Sequence, residues 1–90
     1  MNDAITPAQC RAGRALLNWS REALAEASGV PSRTLADFEL RNTKPRATTT
    51  RRLVEALQAA GVLLLTGDGA QGVGVRLRAP EQAPAPPEAS

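Results

Sequence analysis

Residues 21–40, REALAEASGVPSRTLADFEL, decide the fold of this chain. Apolar and small residues recur there at the spacing of two short helices packed across a tight turn. Leu24 and Ala25 face inward from the first, and Leu35 and Phe38 from the second. Ala25 is small where the two helices must approach closely. Gly29 reaches φ > 0 at little steric cost and so ends the first helix, while Val30 plugs the turn. Pro31 cannot continue that helix, but its fixed φ suits the start of the next.

Spacing alone would also fit an ordinary helical hairpin in a bundle. The ordered set Leu24, Ala25, Gly29, Val30, Leu35, Phe38 and Glu39 narrows the reading to a helix-turn-helix, whose second helix is built to enter a DNA major groove.

With those residues in place, residues 5–61 resemble the phage repressor/Cro-like (XRE-type) helix-turn-helix domain. The matching pieces are SREALA at 20–25, GV at 29–30, TLADFE at 34–39, Pro45 and LVEAL at 53–57. The resemblance implies a mainly α fold, a compact bundle of four or five helices. It also implies operator binding, usually as a dimer, and no catalysis. Glu39 falls where the family often has a structural Glu. Two positions depart from the pattern. Arg41 stands where Gly is frequent, which shifts the left-handed residue to Asn42. Arg21 stands where Gln is frequent, which suggests a charged phosphate contact in place of an amide.

Working outward, Thr6-Pro7-Ala8-Gln9 reads as a helix start, with Thr6 as cap and Gln9 reaching back to close a capping box. The first helix is expected over 7–18. Its Gly13 is either a weak point or a site of close packing. Ser20 caps the second helix, and Trp19 before it is placed to staple onto Leu24. The third helix is expected over 32–40 and the fourth over 48–60, ending at Gly61, with Ala47, Thr50, Leu53, Val54 and Leu57 as its inward stripe. Val62–Leu65 is then a short apolar run, and 73–78 alternates with period two, so a C-terminal β-hairpin joins 62–65 to 73–78. The expected organisation is an arm at 1–5, a DNA-binding domain at 6–61, a hairpin at 62–78 that serves dimerisation, and a disordered tail at 79–90. That tail holds four prolines and no large apolar residue.

Composition excludes several classes of function. The chain has no His and one Cys, so imidazole-based triads and the usual zinc sets are absent, and no metal or cofactor is expected. Cys10 reads as a small buried apolar residue. Gly67 to Gly72 matches G-x-G-x-x-G, but a strand pattern follows where a dinucleotide site needs a helix, so a hairpin loop is the better reading. Neither a signal peptide nor an apolar run near membrane length is evident. A cytoplasmic protein of bacterial or phage type, associated with the nucleoid when bound, is expected, with no membrane partner.

The charge distribution points to a polyanion. Residues 1–78 carry a net +4, and residues 41–52, RNTKPRATTTRR, hold five basic residues and no acid directly after the recognition helix. Ser32, Arg33 and Asp37 are the candidate base-contacting residues. Arg33 can bind guanine O6 and N7, while Asp37 can orient Arg33 through an i,i+4 pair or accept from cytosine N4. Ser20, Arg21, Thr34, Arg41, Asn42, Lys44 and Arg46 are candidate phosphate contacts. The expectation is a sequence-specific regulator of transcription, a repressor or autoregulator that binds an inverted repeat of double-stranded DNA as a homodimer. An antitoxin or restriction-modification controller of the same fold, or a protein-interaction adaptor, are the alternatives.

Overall fold

The computed structural model describes residues 5–79, so the expected arm (but for Ile5) and the tail from residue 80 lie outside the described residues. Helices α1 (Pro7–Leu17), α2 (Arg21–Ser28), α3 (Ser32–Arg41) and α4 (Ala47–Ala59) precede an antiparallel hairpin of β1 (Val62–Leu65) and β2 (Gly74–Leu77). Each boundary has a local cause. Thr6 and Gln9 form the capping box at α1, with both bonds at 3.0 Å. Ser20 caps α2 by accepting from the Ala23 N–H. Gly29 closes α2 at φ 77°, and Asn42 closes α3 at φ 58°, the left-handed position that the absence of Gly at 41 had moved there. Gly61, at φ 103°, turns the chain from α4 into β1.

The core is mostly aliphatic. Leu17, Leu24, Leu35, Leu53, Leu57 and Val62 are fully buried around Phe38, and Trp19 and Ala25 pack half-buried against them. Ile5, the last residue of the expected arm, is also in this core. Gly13 proves to be a packing site. A Cβ there would meet both Leu57 methyls at 3.3 Å, so glycine lets α1 lie close against α4. The inward stripe of α4 needs one correction. Leu53, Val54 and Leu57 are buried and Thr50 is half-buried, but Ala47 is exposed, because the first turn of α4 overhangs the end of the core.

Gln9 ties the hairpin to the helices. Its side-chain amide donates to the carbonyls of Leu65 and Gly74, both at 3.0 Å, across the end of the two-stranded ladder. Gln9→Ala should therefore cost about 1 kcal/mol, the net worth of such bonds. The amides of β1 and β2 should lose protection first in hydrogen exchange, and uniform loss across the helices would refute this attachment. The Gly67–Gly72 loop returns directly into β2, with the Asp68 carboxylate accepting from the Ala70 and Gln71 N–H groups. A strand follows it where a dinucleotide site needs a helix, so the dinucleotide pattern is a hairpin loop.

Candidate nucleic-acid interface

Helix α3 is fixed in the bundle by its buried face. Leu35 and Phe38 enter the core, and Glu39 beside them is 3 % exposed. Arg14 of α1 grips the Glu39 carboxylate with two donors, Nε at 2.9 Å and Nη2 at 2.7 Å. The Cys10 thiol donates to the same group at 3.0 Å, and Arg11 donates to the Glu39 carbonyl at 2.7 Å. Arg21, at the start of α2, comes within 3.6 Å. Burial pushes the Glu39 carboxyl up, but the bonds from Arg14 and Cys10 and the charges of Arg14 and Arg21 outweigh it and hold it below the usual carboxylate range. Burial, then the Glu39 bond and charge, push the Cys10 thiol far above its ordinary value, which leaves it an inert core residue. One carboxylate thus links α1, α2 and α3.

With Leu35, Phe38 and Glu39 turned inward, about 3.6 residues per turn place Arg33, Ala36, Asp37 and Leu40 on the opposite face. Ser32 and Arg33 are exposed in the first turn, and Thr34, Ala36 and Asp37 are half-buried. Of the two roles open to Asp37, pairing with Arg33 or facing a base edge, the first does not form. Asp37 lies 3.8 Å from Arg41 instead. An acid that precedes its base by four residues is the better helical arrangement, and Arg33 to Asp37 runs the other way. Arg33 is left outside that pair, at the end of α3 that leads into the groove in such motifs. Leu40, 65 % exposed on the same face, is a residue that sequence reasoning passed over. Its signal was available, as a large apolar residue seven positions after Arg33 on the same helix face.

The phosphate candidates divide by setting. Arg41, Asn42, Lys44 and Arg46 are exposed along the C-terminal end of α3 and the segment leading into α4. Ser20 is exposed, and its oxygen accepts the capping bond while its hydroxyl proton is available to donate. Arg21 is partly withdrawn toward Glu39, with its side chain 35 % exposed. Arg14, unremarked in the sequence, is the residue that holds the site together. No group of His, Cys, Asp and Glu among the described residues could hold a metal ion.

A family model described as helix-turn-helix matches residues 11–60, more than half of the chain. The chain belongs to the XRE-type helix-turn-helix family. No curated protein matches it. The family match covers most of α1 and all of α2, α3, the basic segment and α4, and it makes the chain a DNA-binding helix-turn-helix regulator. The family is regulatory and generally non-enzymatic. No helix among the described residues is long and apolar enough to cross a membrane.

Proposed function

We propose that this XRE-type protein binds a specific double-stranded operator and represses transcription, including that of its own gene, by occupying the site. One observation carries the reading: an exposed face of α3 beginning at Arg33 continues into the exposed cations Arg41, Lys44 and Arg46. Ser32, Arg33 and Asp37 address base edges, while Ser20, Arg21, Thr34, Arg41, Asn42, Lys44 and Arg46 address phosphates. Asp37, already paired with Arg41, brings no uncompensated charge to the duplex.

The assembly is a homodimer on an inverted repeat, formed through the hairpin at 62–78. Leu63 and Leu65 lie outside the buried core cluster on the outward face, and a two-stranded hairpin is marginal in water without cover. A two-fold partner supplies that cover and doubles the DNA contact.

Selection of bound duplexes from a random pool tests the whole reading. The expected result is one inverted-repeat sequence, and recovery of no sequence above background would overturn it. Lys44→Ala and Arg46→Ala should each weaken specific and random DNA alike. Each should lower the slope of log affinity against log salt by about one unit. An unchanged slope would remove that residue from the phosphate contacts.

A further inference from the structure

We infer that two copies of the chain join by pairing their β2 strands edge to edge, antiparallel, with Val75 opposite the partner's Val75. The inference rests on the proposed homodimer and names its surface and register.

The free edge follows from the hairpin's own bonding. The Arg78 N–H donates to the Gly61 carbonyl at 2.8 Å, which fixes the phase of the ladder. In an antiparallel pair alternate residues turn both backbone groups toward the neighbouring strand. Arg76 and Gly74 therefore face β1, and Val75 and Leu77 direct their N–H and C=O groups away from it. No hydrogen bond from outside the hairpin reaches those groups among the described residues. Such an edge is a template for another strand.

The sequence of that edge selects the register. Residues 72–78 read GVGVRLR. Centred on Val75, the two-fold pairing sets Val73 against the partner's Leu77 on one face. On the other face it sets Gly74 against the partner's Arg76, and Gly72 against the partner's Arg78. Every arginine meets a glycine, and every apolar residue meets an apolar one. Val73, 48 % exposed in the single chain, gains cover. Leu65, exposed beside Gly74, receives the aliphatic stem of the partner's Arg76. Neighbouring registers fail on charge or packing. Centring on Arg76 opposes it to its own copy, and centring on Leu77 opposes Arg76 to the partner's Arg78, both like-charge pairs. Centring on Gly74 opposes glycine to glycine and sets Leu77 against the partner's Gln71.

Gly74 offers a direct test, because a Cβ there would meet Leu65 Cδ1 at 3.8 Å, an ordinary contact that the hairpin accepts. In sedimentation of the full-length chain, Gly74→Lys should raise the dimer dissociation constant about tenfold, since two Lys–Arg oppositions form per dimer. Gly74→Glu, similar in bulk and opposite in charge, should lower the constant. Arg76→Glu added to Gly74→Lys should restore association. A shared loss in both Gly74 variants, or no change in either, would overturn the register while leaving the homodimer standing. A wild-type chain that stays monomeric at every concentration would overturn both.

Discussion

Glu39→Ala is expected to cost about 3 kcal/mol of stability, the lower end of what breaking a buried ion pair costs when one partner remains. The lower end applies because the Arg14 side chain is 16 % exposed and can recover some hydration once the carboxylate is gone. Three donors lose their acceptor together: two from Arg14 and one from Cys10. In a domain of this size the melting temperature should fall on the order of 10–20 °C. Glu39→Gln, which keeps an acceptor oxygen, should fall less. Thermal denaturation followed by circular dichroism measures both, and a loss of only a degree or two for alanine would mean that the network is idle.

The same group sets an acid limit. The Glu39 carboxyl is held below its ordinary value in the folded chain, so on acidification the unfolded chain takes up that proton first. Its contribution is complete above the ordinary carboxylate range. It is lost progressively as pH falls through that range toward the lower folded value. Glu39→Gln should flatten this part of the stability profile.

Arg33→Ala is expected to cost about 1–3 kcal/mol per half-site on the selected operator and to relax preference at one base pair. The residue stands in the first turn of α3, exposed, and the acid one turn on is engaged by Arg41. Its guanidinium is therefore available for a bidentate contact to guanine, the commonest specific pairing in the major groove. Fluorescence anisotropy on the selected duplex and on a scrambled one separates the roles. Loss confined to the selected duplex supports base readout. Equal loss on both would make Arg33 a phosphate contact.

Much of this was legible in the sequence because it depended on neighbours in the chain. Thr6 and Gln9, Ser20, Gly29 and Asn42 act within a turn of their own position, so their capping roles follow from residue type and spacing. The period of Leu24, Val30, Leu35 and Phe38 fixed the two helices and the side each turns to the core. One alternative left open by the sequence was also settled locally: Asp37 had two arginines at helical reach, and the order of charge along the helix chose Arg41.

The sequence by itself determined the four helices, the hairpin, and the face of α3 left outside the core, since hydrophobic period and turn chemistry act over a few residues. Only the tertiary structure decided what joins them. Arg14 and Glu39 are 25 residues apart, and the amide of Gln9 reaches the carbonyls of Leu65 and Gly74, 56 and 65 residues away. No periodicity encodes such pairs, because they exist only after the helices have packed and left one carboxylate, and two strand carbonyls, in need of donors.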